Sequence, residues 1–208
     1  MKLYDISQEI FGCEVYPGDP APEKETLLKT AAGDVCNLTS FRMCAHNGTH
    51  VDAPYHFYGD GKTISEVGLE SFIGMAYVAE HDGVVTAEDA SGMLKKAADA
   101  DRESAKRILI KGQAVVSAEA ARVFAEAKLL LLGNESQTFG PEDAPMELHL
   151  ILLGAEMVLL EGIRLGEVEE GVYFLNAAPI HLGDGDGAPC RAVLLDWKGE
   201  MSDEENRS

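Results

Sequence analysis

Basic residues are scarce in this chain. Lysine and arginine total 17 against 36 aspartates and glutamates, a formal net charge of −19. A field of that sign repels phosphate backbones and anionic lipid surfaces, which argues against nucleic acid or membrane as a partner. Long apolar runs are missing as well. Runs such as 129–132 and 150–153 fall far short of the ~20 residues that cross a bilayer. The first residues show no basic segment leading into an apolar one, so the expected setting is the cytoplasm. The four cysteines, Cys13, Cys36, Cys44 and Cys190, form no Cys-x-x-Cys pair and are too sparse for a disulfide scaffold. Reduced thiols are expected.

The remaining composition is that of a globular protein, with 46% hydrophobic and 25% charged residues in 208 positions. That length supports one domain with a real core, expected over 1–198, followed by a polar tail at 199–208. Residues 2–7 read as a strand, and Tyr16-Pro17-Gly18-Asp19-Pro20 as a turn, where proline fixes φ and glycine allows left-handed backbone. Segment 38–45 has strand character. Segments 87–97 and 117–127 are the clearest helices, the second opened by Ser117 as a cap. Strands are expected at 107–111, 128–133, 157–160, 172–175 and 192–196, with a short helix at 147–153 ended by Gly154. The elements show no strict βαβ rhythm, so the class is α/β or α+β with a mixed sheet.

Chemistry concentrates in His46-Asn47-Gly48-Thr49-His50-Val51-Asp52-Ala53-Pro54-Tyr55-His56, which holds three of the six histidines and an aspartate. Neutral imidazole nitrogens and a carboxylate are what zinc-type sites require. Gly48, Thr49, Val51 and Pro54 disfavour a helix. In an extended chain His46, His50, Asp52 and His56 all occupy even positions and share a face. A straight strand would nevertheless spread His46 and His56 over about 33 Å at ~3.3 Å per residue. Bends at Gly48 and Pro54 are therefore needed, and His56, beyond the proline, is the natural outlier. Farther on, His149 opens the short helix and Glu161 follows four apolar residues, 157–160. A carboxylate directly after such a run is unusual unless something pairs it. Spacing alone assigns neither residue to the cluster. His81 and His181 sit beside glycine-rich turns and read as structural.

The run from His46 to Phe57 matches H-x-G-T-H-x-D-x-P-x-H-F and resembles the cyclase-like metal hydrolases, which include bacterial kynurenine formamidase and isatin hydrolase. The likeness continues through Asp5-Ile6-Ser7, Pro17-Gly18-Asp19, His149 with Leu152-Leu153-Gly154, Leu160-Glu161-Gly162, and Gly185-Asp186-Gly187-Ala188-Pro189 with Arg191. It implies a swivelling β/β/α fold and a homodimer using zinc or manganese, one or two ions per subunit. It also implies that His46, His50 and Asp52 bind one ion, that Asp52, His149 and Glu161 bind a second, and that His56 is the catalytic acid/base. The substrate would be a small amide, lactam or related ester.

Two departures bear on that substrate. Tyr16 stands where the formamidases have a tryptophan that packs on it, and Asn134-Glu135-Ser136-Gln137-Thr138 replaces a stretch that usually contains aspartate. Two rival readings also arise. A metal-dependent binding protein without turnover is compatible with the altered middle but not readily with an intact His56. A non-haem iron oxygenase would combine His50, Asp52 and His181 with Arg191, yet leaves His46 and His56 idle and puts Pro54 in a strand.

Overall fold

Capping starts the two most predictable helices. Thr86 Oγ1 accepts the Asp89 amide at 3.2 Å while Asp89 Oδ2 accepts the Thr86 amide at 2.9 Å, a reciprocal box that opens α1 (Ala87–Ala100). Ser117 Oγ accepts from the Ala120 amide at 3.2 Å and opens α2 (Ala118–Glu126). The third helix, α3 (Met146–Gly154), is apolar along most of its length and buries Leu148, His149, Leu152 and Leu153. These elements belong to a computed structural model that describes residues 1–141 and 144–197; the tail expected at 199–208 lies outside them.

The strands in chain order are β1 (Lys2–Asp5), β2 (Glu23–Leu28), β3 (Leu38–Arg42), β4 (His50–Asp52), β5 (Ile73–Glu80), β6 (Gly83–Val85) and β7 (Arg107–Lys111). They continue with β8 (Ala114–Val116), β9 (Leu131–Asn134), β10 (Val158–Glu161), β11 (Gly171–Asn176), β12 (Gly187–Pro189) and β13 (Val193–Asp196). Nine form one mixed sheet, ordered β1-β13-β11-β5-β7-β9-β10-β4-β12. β2 with β3 and β6 with β8 make two small separate ladders.

The central strands β5, β7, β9 and β10 are mutually parallel, and α1, α2 and α3 fall between them in sequence. The chain therefore contains a local βαβ run within a mixed sheet, in keeping with the expectation of a mixed sheet without a strict βαβ rhythm. The run is hard to see in the sequence because β5, eight residues long, is not marked as a strand by its residue pattern. Four of its residues, 76–79, are buried on both faces, so it carries little polar alternation.

The pleat sorts side chains into two cores. Ala76, Val78, Leu109, Leu131, Val158 and Leu160 enter one layer with Val51 and Ile6. Their neighbours Tyr77, Ala79, Ile108, Ile110, Leu132 and Leu159 enter the other, against Ala90, Phe124 and Leu152 of the three helices. Which layer a residue faces decides where the polar cluster lies.

Candidate metal centre

Val51 belongs to the layer away from the helices, so period two turns its neighbours His50 and Asp52 toward the helix side. β4 pairs antiparallel with β10, setting Glu161 opposite His50 and Leu159 opposite Asp52. Leu159 is in the helix-side core, and Glu161, two residues on, shares its face. α3 covers that face and carries His149 down onto it. Residues about 100 positions apart thus meet through strand register and helix packing.

The bends expected around the first motif are present. Gly48 has φ +64, a left-handed conformation that side chains resist, and a Cβ there would lie 2.9 Å from Cys13 Cβ. Pro54–His56 forms a single 3₁₀ turn directly after β4. Thr49 points the other way and fixes the strand: its Oγ1 donates to Gly162 O at 2.8 Å and accepts from the Gln8 amide at 2.9 Å.

Seven groups converge. Asp52 Oδ1 lies 2.8 Å from His46 Nδ1 and 3.3 Å from His50 Nε2, and its Oδ2 lies 3.7 Å from His149 Nε2. Glu161 Oε2 is 3.4 Å from His50 Nε2, and its Oε1 is 3.3 Å from His149 Nε2. Asp186 Oδ2 takes the outer edge, 2.9 Å from His46 Nε2 and 3.2 Å from His56 Nδ1. The His46 and His56 rings stack at 4.1 Å. Exposure rises outward, from 1% for the His50 and Asp52 side chains to 29% for His56 and 45% for Asp186.

Each inner imidazole is held by its other nitrogen. His50 Nδ1 is 3.0 Å from Gly48 O, His149 Nδ1 is 2.9 Å from Pro145 O, and His46 Nε2 faces Asp186. In all three, one nitrogen has an outer acceptor and the other points at Asp52 or Glu161.

The charges shift accordingly. Burial acts to lower the His46 pKa, but bonds to Asp186 and Asp52 override it and raise it to about 11. His50 is likewise lowered by burial and raised by Asp52 and Glu161, to about 9. His149 is raised too, with burial opposed chiefly by Glu161. Burial pushes Asp52 up, yet His46 and His50 hold it well below the usual carboxylate range. Hydrogen bonds from His46 and His56 lower Asp186. Without a cation, the pocket balances its carboxylates with protons on imidazoles.

Three candidate groups have ligand atoms within 4.8 Å of one another among the described residues: His46, His50 and Asp52; Asp52, His149 and Glu161; and His46, His56 and Asp186. The structure brings together every expected ligand and His56. Sequence reasoning missed Asp186, since an aspartate between two glycines has the composition of a turn. His181 is exposed and in none of these groups, and Arg191 Nε donates to Asp5 Oδ2 at 2.9 Å.

Tyr16 lies elsewhere. Its carbonyl accepts the Asp19 amide at 3.0 Å in the expected turn, and the residue lines a cavity of about 670 Å³ with Glu14, Gln137 and Arg164. None of the seven cluster residues is among the described residues lining that cavity. Its wall adjoins the cluster through backbone: Glu14 O accepts the Gly48 amide at 3.2 Å.

A mixed sheet covered by three helices, with three imidazoles and two buried carboxylates at one edge, defines an α/β protein built around a candidate metal centre. The chain belongs to the family described as "Putative cyclase", whose model matches residues 4–140. Kynurenine formamidase of Salinibacter ruber is 33% identical over 212 residues, covering 94% of this chain and 98% of that protein. A solved structure titled a potential metal-dependent hydrolase with cyclase activity superposes with TM-score 0.76 at 27% identity, covering 93% of this chain and 96% of the other. Isatin hydrolase A of Labrenzia aggregata, at 20% identity and TM-score 0.79 over 93% of each chain, shares the fold. The expected fold class is thereby confirmed.

Proposed function

We propose that the cluster holds a divalent cation and that the protein hydrolyses a C–N bond, other than a peptide bond, in a small amide such as an aryl formamide. The observation that carries this is the shared geometry of His46, His50 and His149. Metal-binding histidines characteristically give one ring nitrogen to an outer acceptor and turn the other to the ion. The donor set fits: two carboxylates only 1–3% exposed and three imidazoles form a hard-to-borderline site suited to zinc. The chemistry of the kynurenine formamidases that the chain resembles supports the same reading.

His46, His50 and Asp52 would hold one ion, and Asp52, His149 and Glu161 a second. A cation there supplies Lewis acidity toward the amide carbonyl and lowers the pKa of a water molecule. His56, at the solvent side of the cluster, takes a proton from the attacking water as the C–O bond forms. It returns that proton to the leaving nitrogen as the C–N bond breaks, giving a carboxylic acid and an amine. Asp52 stays ionised, held so by His46 and His50. Tyr16 lines the adjoining cavity, where an aromatic substrate has a surface to pack on. Among the described residues no helix is long and apolar enough to cross a membrane. Zinc rather than manganese follows from the donor set, a homodimer rests on the family resemblance, and a cytoplasmic setting completes the proposal.

The test is hydrolysis of N-formylkynurenine, isatin and simple lactones by metal-stripped and zinc- or manganese-reloaded protein. Turnover of an amide that depends on reloading is expected. Absence of hydrolysis across the panel with loaded protein would overturn the enzyme in favour of a binding protein.

A further inference from the structure

Asp186 stands outside the five proposed ligands yet touches the cluster at two points. Its Oδ2 lies 2.9 Å from His46 Nε2 and 3.2 Å from His56 Nδ1, so one oxygen serves two rings. Those rings stack at 4.1 Å with 28° between their planes, which presents both N–H edges to the same acceptor. The backbone is built for this approach. Asp186 O accepts the Ala53 amide at 2.9 Å, clipping the loop to the end of β4, and Gly187 pairs with Asp52 across the β12–β4 ladder. A Cβ on Gly187 would stand 2.7 Å from His46 Cε1, so the His46 ring occupies space that only glycine leaves open.

We propose that Asp186 is a positioning residue that fixes the ring tautomers of His46 and His56 together. The inference rests on the metal-dependent reading above. His46 has its other nitrogen, Nδ1, 2.8 Å from Asp52 Oδ1. A hydrogen held on Nε2 by Asp186 leaves the Nδ1 lone pair directed inward, where a cation binds. His56 is treated in the opposite sense. Its Nδ1–H donates to Asp186, which leaves Nε2 as the one basic nitrogen, as the aspartate of a Ser-His-Asp triad does for its histidine. A single carboxylate oxygen thus makes one histidine a ligand and its stacked neighbour a base. His50 and His149 have backbone carbonyls in the corresponding place, at Gly48 and Pro145, and neither carbonyl bridges to a second ring.

The experiment compares wild type, Asp186→Asn and Asp186→Ala. Metal-free protein competes with a chromophoric chelator for zinc, and long-range ¹H–¹⁵N NMR of the zinc-loaded protein, in which the ligand imidazoles are neutral, reads the ring tautomers at about pH 8.5. Loss of the outer acceptor in Asp186→Ala should weaken zinc binding about 10–100-fold at unchanged stoichiometry. It should also let His56 populate both tautomers and lower kcat with KM held. Asp186→Asn keeps the shape and one acceptor oxygen, and should lie between the two. Equal zinc affinity and unaltered tautomers in folded Asp186→Ala would overturn the proposal. So would loss of a whole equivalent of zinc, which would make Asp186 a ligand. A wild type that takes up no zinc would defeat the metal-dependent reading; the His56 tautomer would then decide the role of Asp186, with no difference between wild type and Asp186→Ala refuting it.

Discussion

Replacing Asp52 with asparagine in metal-free protein keeps the side chain's shape and removes one negative charge from a position only 1% exposed. Asp52 faces His46 at 2.8 Å and His50 at 3.3 Å. The His50 pKa is lowered by burial and raised by Asp52 and Glu161, with a net rise from 6.5 to about 9, which corresponds to ~3 kcal/mol of folded-state stabilisation. Breaking a buried pair by removing one partner costs about 3–5 kcal/mol in general. Because Glu161 remains beside His50, a loss of about 2–4 kcal/mol is expected at neutral pH. The pH dependence follows from the directions of the shifts. Histidines with raised pKa stabilise the fold fully below the unfolded value of 6.5, and that contribution disappears as pH rises through about 9 for His50 and about 11 for His46. Asp52, lowered by the histidines against its burial, contributes above the ordinary carboxylate range and loses that contribution in strong acid. The gap between wild type and Asp52→Asn is therefore widest at about pH 6 and narrows at alkaline pH. Urea unfolding at several pH values measures it. A gap that stays constant with pH, or is below ~0.5 kcal/mol throughout, would refute the electrostatic account.

Zinc uptake should release protons, because His46 and His50 are charged at neutral pH without the ion and must be neutral to bind it. With pKa values of about 11 and 9, about two protons should leave at pH 7, and fewer above pH 9. Calorimetry in buffers of different ionisation enthalpy counts them, and zero release would contradict the arrangement. His56→Ala should retain its metal while turnover falls ~10²–10⁴-fold; loss of metal, read by elemental analysis, would make His56 a ligand instead. Gly187→Ala should push a methyl into the His46 ring and cost ~1–3 kcal/mol of stability. Unchanged denaturation midpoints would show that His46 has room to move.

The local part of the centre is legible in the sequence and the long-range part is not. Period two alone puts His50 and Asp52 on one face, and the reach of a strand requires bends that Gly48 and Pro54 supply. His149 and Glu161 are brought in by the β4–β10 register and the seat of α3, neither of which is written in spacing. Only the resemblance to metal hydrolases links them to the first motif. The apolar run before Glu161 does signal a buried carboxylate in need of a partner, and His50 and His149 face it at 3.4 and 3.3 Å. The β2–β3 hairpin escapes in part because both strands are exposed, so no buried face imposes a pattern on Glu23–Leu28. Asp186 is masked by its glycines: the same small neighbours that mark a turn also let the His46 ring lie against the backbone.

Anomalous scattering from a crystal of the zinc-loaded protein tests the central claim most directly. The expected result is a peak inside the cluster, about 2.0–2.2 Å from His50 Nε2 and from an Asp52 oxygen, the ordinary range for zinc–nitrogen and zinc–oxygen bonds. Zinc found only on surface carboxylates, with His46, His50 and Asp52 still hydrogen-bonded to one another, would contradict it.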